Sequence, residues 1–284
     1  MTSPLPRYDR IASLVLIVVL GLAVILWIDI NPNILRARLF GDLPTITVSW
    51  LLIASLVVIT SAGADLLVRS HPQMQTRTLP TFNLGFMTVE VVPGFWILPS
   101  FCVIGSFAFF RLFSATLQGL AFVLALVAAG GLLLTVLVAQ HYSLDRHPPT
   151  AQRARLILLV ITYLLTFSCF SAIYFTRLRT LYAATLVGST ATLLAYEVLR
   201  WTSRQAGRRL ALIIGLVLAE AIWALNYWPA PFLLGGTLML VLFYVTTSLV
   251  QHHLAGTLQR RLLVEYGLFG SGLLAALIFA TFGW

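Results

Sequence analysis

Apolar residues run through this chain in nine stretches, each broken by a short polar segment that is usually rich in arginine. The stretches fall at residues 11–30, 46–68, 94–113, 117–139, 156–176, 180–199, 210–228, 231–250 and 264–283. A helix of about 20 apolar residues rises about 30 Å, the depth of bilayer hydrocarbon. Inside hydrocarbon the backbone must satisfy its own hydrogen bonds, so each stretch is expected to be helical. The pattern predicts an all-α, polytopic transmembrane helix bundle of about nine spans, forming a single integral membrane domain over residues 1–284. Composition agrees. The chain is 60% hydrophobic and only 10% charged, whereas soluble domains carry about 25% charged residues. Arg7 and Arg10 give the first stretch a basic leader, but Ile11–Ile28 is long and no small-residue cleavage site precedes Asn31-Pro32-Asn33. An uncleaved anchor is expected.

The kind of charge narrows the chemistry. All 18 basic residues are arginine and there is no lysine. Schiff-base chemistry on retinal or pyridoxal phosphate, and a Walker A phosphate loop, each need a lysine and are excluded. With nine spans, 13 arginines fall on the side of the N-terminus and 5 on the other. The larger group is Arg7, Arg10, Arg69, Arg77, Arg146, Arg153, Arg155, Arg200, Arg204, Arg208, Arg209, Arg260 and Arg261; the smaller is Arg36, Arg38, Arg111, Arg177 and Arg179. The positive-inside rule puts the N-terminus in the cytoplasm and the C-terminus outside, in a bacterial inner membrane. The net charge of +9 is thereby a matter of arginine-rich loops and orientation, with no nucleic acid implied. Trp27, Trp50, Trp96, Trp201, Trp228 and Trp284 lie near span ends, where amphipathic rings prefer to sit.

Most acidic residues lie at or outside the span edges, and three have a basic neighbour at helical spacing. Asp65 precedes Arg69 by four, Glu197 precedes Arg200 by three and Glu265 follows Arg261 by four. Glu220 has none and falls near the middle of its span, where an ionisable group is usually functional. Trp223 and Tyr227 follow at three and seven residues and share its helix face, which is expected to point into the bundle. These three are the intramembrane functional candidates. Histidines can bind metal or haem. His141 and the pair His252-His253 directly follow spans 4 and 8 and would converge if those helices packed together. Their spacings fit no familiar ligand pattern, so no metal and no cofactor is expected. Cys102 and Cys169 lie within apolar runs and are expected to be buried thiols. The glycines 130–131, 235–236, 267, 270 and 272 permit close helix approach.

Two connections are longer than a turn. Residues 69–93 partly alternate around Phe82–Val91 and are expected to lie in the interface or fold back as a short hairpin. Residues 140–155 read as a plain cytoplasmic loop.

Nine spans in a chain of this length resemble the UbiA-type membrane prenyltransferases. That resemblance implies aspartate-rich magnesium motifs after spans 2 and 6. The corresponding stretches here, Asp65–Pro72 and Arg200–Arg209, carry one aspartate and none. Magnesium held through substrate phosphates needs one or two carboxylates, so that catalysis is rejected. Small drug and metabolite transporters resemble two five-span repeats, from which nine spans depart. The tail from Tyr227-Trp228-Pro229 to Glu265-Tyr266 resembles uncharacterised multispan bacterial membrane families, the domains of unknown function, and implies no activity.

Three roles follow. The favoured one is a non-catalytic membrane subunit or assembly factor, because paired carboxylates, a nucleophile elbow and a metal cluster are all missing from the sequence. Its partners would be membrane lipids and other membrane subunits. The second is a small-solute or lipophilic-substrate transporter using Glu220. The third is a lipid-processing enzyme that turns its cytoplasmic arginines and histidines to an anionic headgroup. No residue is assigned as catalytic.

Overall fold

The computed structural model describes residues 6–30, 36–37, 46–71, 74, 81–83, 88–90, 94–114, 116–117, 119–145, 147–228 and 230–282. Nine helices account for nearly all of these: α1 (Tyr8–Ile30), α2 (Val48–Arg69), α3 (Ile97–Leu112), α4 (Leu120–Tyr142), α5 (Pro148–Phe175), α6 (Thr180–Leu199), α7 (Arg204–Leu225), α8 (Phe232–Leu254) and α9 (Arg260–Phe282). Each is centred on one apolar stretch. Five of them, α1, α2, α4, α5 and α8, are long and apolar enough to cross a membrane. Two of the others depart from that standard for visible reasons: α3 has only 16 residues, and α7 carries Arg208, Arg209 and Glu220.

Helix ends differ from the apolar run ends where arginine is involved. α5 starts at Pro148, eight residues before the expected span. Proline suits a first helical turn, whose N–H groups have no partner anyway, and Arg153 and Arg155 extend the helix with stems that reach back to polar surroundings. Apolar length marks hydrocarbon depth; helix length includes the headgroup turn. The expected 140–155 loop therefore shrinks to residues 143–147.

Two short antiparallel ladders complete the described structure. β1 (Arg36–Ala37) pairs with β2 (Ile46–Thr47). β3 (Thr81–Asn83) pairs with β4 (Thr88–Glu90), with Phe82 opposite Val89, so the 69–93 connection takes the hairpin alternative. Residues 84–87 between the two strands lie outside the described residues, as do Asn31-Pro32-Asn33, Arg38, Pro72, Arg77, Arg146, Pro229 and Trp284.

The chain divides into two compact units, residues 1–161 and 162–284. In the first, α1 to α4 pack together. α1 buries Ile11, Leu14, Val18, Leu22 and Ile25, and α2 buries Ile53, Leu56, Thr60, Ala64 and Val68. Both stripes step by three and four residues, as one face of a helix requires. In the second unit, α6 and α7 form the tightest pair. Ala184, Val187, Ala191 and Ala195 meet Ala211, Leu218 and Ile222. A Cβ on Gly215 would stand 2.6 Å from the carbonyl oxygen of Gly188. In hydrocarbon, apolar area does not drive helices together, so small residues that let backbones approach supply the packing. α8 packs on the later part of α5, where Gly235 faces the Tyr174 ring, Gly236 faces Ser171 and Phe243 meets Tyr163 and Phe170. Gly131, Gly267 and Gly272 have nothing within reach of an added Cβ, so close approach does not explain them. Cys102 and Cys169 are both buried and neither is in a disulfide.

Candidate functional site

α7 presents two stripes. Ile214, Leu218, Ile222 and Leu225 are buried, while Ile213, Leu216, Glu220, Trp223 and Tyr227 are exposed. Trp223 is 50% and Tyr227 77% exposed. The Glu220 face therefore points outward, opposite to the expectation from its sequence. The physical reason is the Gly215 seam. α6 lies so close at Gly188 and Thr192 that only the small-residue face of α7 can turn inward, and the long polar side chains are left on the far side. Glu220 lies 11 residues beyond Arg209, about 16 Å along the axis. That is roughly half the hydrocarbon thickness.

The histidines have local partners. His141 lies in the first unit, its ring centroid 4.7 Å from that of His71 and edge-on to it. His252 lies in the second unit, where its Nδ1 is 3.1 Å from Thr257 Oγ1 and its ring is 6.2 Å from Tyr266. His253 is exposed. Among the described residues, no group of three histidine, cysteine or carboxylate side chains is arranged to hold a metal ion. His71 is the nearest ring partner of His141, and sequence reasoning missed it because 70 residues separate the two. Burial of His71 in the α2–α4 interface lowers its pKa below the ordinary histidine value. The neighbouring His141 lowers it further, and Asp145 works in the opposite direction.

A cavity of about 220 Å³ opens beside this pair, between α1, α2 and α4. Its polar lining is Arg7, Ser70, Gln140 and His141, and the rest is mainly apolar. Gln140 is 1% exposed. Its Nε2 donates to the carbonyl of Phe95 at 3.0 Å, while its Oε1 is buried with no hydrogen-bond partner. The Tyr8 and Tyr142 hydroxyls are 3.4 Å apart and link α1 to α4.

The three acid–base pairs expected from spacing all form. Arg69 Nε donates to Asp65 at 2.6 Å, so the one aspartate in the magnesium-loop position is taken by an arginine. Arg261 meets Glu265 at the surface. Arg200 and Glu197 form a pair whose side chains are only 4% and 2% exposed. Arg200 also lies over the Trp201 ring, 4.5 Å from its centroid. Their spacing foretold the bond, but nothing in the sequence foretold its burial. At the other end of the second unit, Arg177 clamps the α7–α8 connection. It donates to Trp228 O at 3.3 Å, Ala230 O at 2.7 Å and the Tyr174 hydroxyl at 3.1 Å. That hydroxyl in turn donates to Trp228 O.

No curated protein and no solved structure matches this chain. The all-helical architecture, the helices apolar enough for a membrane and the lack of a recognisable catalytic constellation among the described residues accompany one family match, over residues 30–280: the chain belongs to the family described as protein of unknown function (DUF5656).

Proposed function

We propose that the chain is a non-catalytic subunit or assembly factor of a membrane complex. In this reading it sits in a bacterial inner membrane with its N-terminus in the cytoplasm, as the arginine asymmetry favours. Its docking surface is the outer face of α7, with Glu220, Trp223 and Tyr227.

One observation supports the reading: Glu220 is exposed on α7, and along the sequence it falls near the middle of the expected span 210–228. A carboxylate at the bilayer centre costs about 2.5–3.5 kcal/mol on insertion scales. A partner helix offering an arginine, histidine or amide at that depth would remove most of the cost. Trp223 and Tyr227 flank the acid with broad amphipathic surfaces of the kind that dominate interfaces. The transporter reading needs Glu220 inside the bundle on an access path, and an outward Glu220 counts against it.

The experiment is native mass spectrometry after extraction in the mildest detergent that works, with a photo-reactive side chain at Tyr227. The expected result is a second polypeptide cross-linked at this face and co-purifying, and its loss in Glu220→Leu. A monomer with no partner, or a cross-link that stays within one chain, overturns the proposal.

A further inference from the structure

The cavity between α1, α2 and α4 has a polarity that selects its occupant. We infer that it binds a phosphate ester carrying a free hydroxyl, the chemistry of a glycerophosphate headgroup.

Arg7 lines the cavity and, among the described residues, its side chain makes no ion pair or hydrogen bond. Arginine stays charged at any working pH and its fork matches phosphate oxygens. The anionic end of a ligand is thereby placed beside Arg7.

The other end is fixed by Gln140. Its amide nitrogen donates to Phe95 O. Flipping the amide would set oxygen against oxygen, so the orientation is determined by that bond. Gln140 lines the cavity, and its Oε1 is left a buried acceptor without a donor. A buried acceptor left unmet is costly, and phosphate oxygens are acceptors too, so they cannot meet it. A hydroxyl can. Ser70 repeats the polarity: its hydroxyl donates to Leu67 O at 2.6 Å, so toward the cavity it offers lone pairs. The occupant therefore has negative charge at one end and hydroxyl hydrogens at the other.

Size and wall complete the choice. At about 220 Å³ the space falls below the roughly 300–1,000 Å³ of drug-sized sites, and suits a headgroup. The remaining wall, with Ile11, Leu67 and Leu137, is apolar and fits the start of an acyl-bearing stem. A lipid headgroup and a soluble glycerophosphate share this chemistry.

The test uses the full chain in neutral detergent and reads the thermal-unfolding midpoint against ligand concentration. Four probes are added: dihexanoyl phosphatidylglycerol, dihexanoyl phosphatidylmethanol (equally charged, without hydroxyls), dihexanoyl phosphatidylcholine and glycerol 3-phosphate. Phosphatidylglycerol should raise the midpoint at lower concentration than phosphatidylmethanol, and phosphatidylcholine should not raise it. Arg7→Gln, at an exposed position, should weaken the apparent affinity on the order of ten- to hundredfold. Gln140→Met should erase the preference for phosphatidylglycerol over phosphatidylmethanol. Should Gln140→Met fail to fold, the comparison of the two lipids on the unaltered chain and the Arg7→Gln variant still decide. A shift with glycerol 3-phosphate supports the site and assigns a soluble ester; a shift with phosphatidylglycerol alone supports it and assigns a lipid. Equal shifts with the two anionic lipids, a shift unchanged by Arg7→Gln, or no shift with any probe overturns the inference and leaves only water for Gln140.

Discussion

Removing one member of the Glu197–Arg200 pair should damage the second unit far more than removing both. The pair lies at the end of α6 with side chains 2% and 4% exposed, and the second carboxylate oxygen of Glu197 is buried without a hydrogen-bond partner. In Glu197→Leu, the Arg200 cation loses its carboxylate partner at a buried position. In Arg200→Met, the buried carboxylate loses its cation. Breaking a buried pair from one side typically costs about 3–5 kcal/mol, whereas replacing the whole pair with apolar groups is often close to neutral. Arg200 has a long stem at a helix end and can reach toward solvent, which sets Glu197→Leu near the lower bound. Glu197 has no such reach, and loss of the stack on Trp201 adds about 0.5–2 kcal/mol, so Arg200→Met falls at or above the upper bound. The double variant should retain little beyond that lost stack, giving a coupling of about 3 kcal/mol. The control is Arg261–Glu265, a pair on neighbouring helix turns whose side chains are 85% and 54% exposed. Its coupling should be about 0.3–0.5 kcal/mol. The unaltered chain and three variants of each pair, two single and one double, unfolded reversibly in mixed micelles and followed by circular dichroism, measure both numbers. A Glu197–Arg200 coupling below about 1 kcal/mol, the range of surface pairs, would refute the reasoning, as would equal couplings at the two sites.

Three further outcomes are expected. Gly215→Ala should destabilise by about 1–3 kcal/mol through overpacking, because its Cβ would meet the Gly188 carbonyl. Gly131→Ala, with open space around it, should be neutral or stabilising by up to about 1 kcal/mol of helix propensity; chemical denaturation of both variants checks the contrast. The first unit should lose stability on acidification: the folded pKa of His71 is depressed, so the unfolded chain binds more protons. Its contribution is complete above the unfolded value of about 6.5 and drains away as pH falls from there toward the folded value. Melting at pH 7.5 and 5.5 should show that loss, and His71→Phe should shrink it; an unchanged difference would exclude His71 as its source. Arg177→Ala should cost about 1–2 kcal/mol by stranding the Ala230 carbonyl and removing one of the two donors to Trp228 O, and lysine, lacking the forked geometry, should restore only part of it.

The helices were legible because hydrocarbon depth imposes a length on any apolar run, and nine such runs match nine helices among the described residues. The faces were not. On α7 both stripes are apolar, Ile214 and Leu218 inside, Ile213 and Leu216 outside, so hydrophobicity carries no direction. The usable signal was size: Gly215 opposite Gly188, which sequence showed only as two scattered glycines. Polarity misled at Glu220, because the close-packed seam at Gly215, and not the acid, decides which face of α7 turns inward. Local pairs such as Asp65–Arg69 were readable from spacing. The His71–His141 contact and the Gln140–Phe95 bond join residues 70 and 45 positions apart, and no local pattern records them.

Glu197 and Glu220 lie on neighbouring helices yet meet their desolvation differently, and that contrast gives the sharpest test of the subunit proposal. Glu197 has an internal answer in Arg200, one turn away. Glu220 faces outward, and its nearest arginine along the chain, Arg209, lies about 16 Å away along the helix axis. If its only surroundings were lipid, the carboxyl would be a standing cost to the fold. Glu220→Leu should then stabilise the isolated chain, by an amount approaching the roughly 2.5–3.5 kcal/mol of central insertion scales. If the face belongs to a partner, the same substitution should also reduce the partner that co-purifies. The two effects have opposite signs and are read by separate assays, unfolding of the lone chain and mass spectrometry of the complex. A carboxylate serving the fold would give the reverse: a less stable chain with its assembly intact. On the proposed reading, an acid exposed on α7, a helix whose other face is fitted to a glycine seam, serves a contact outside the chain's own packing.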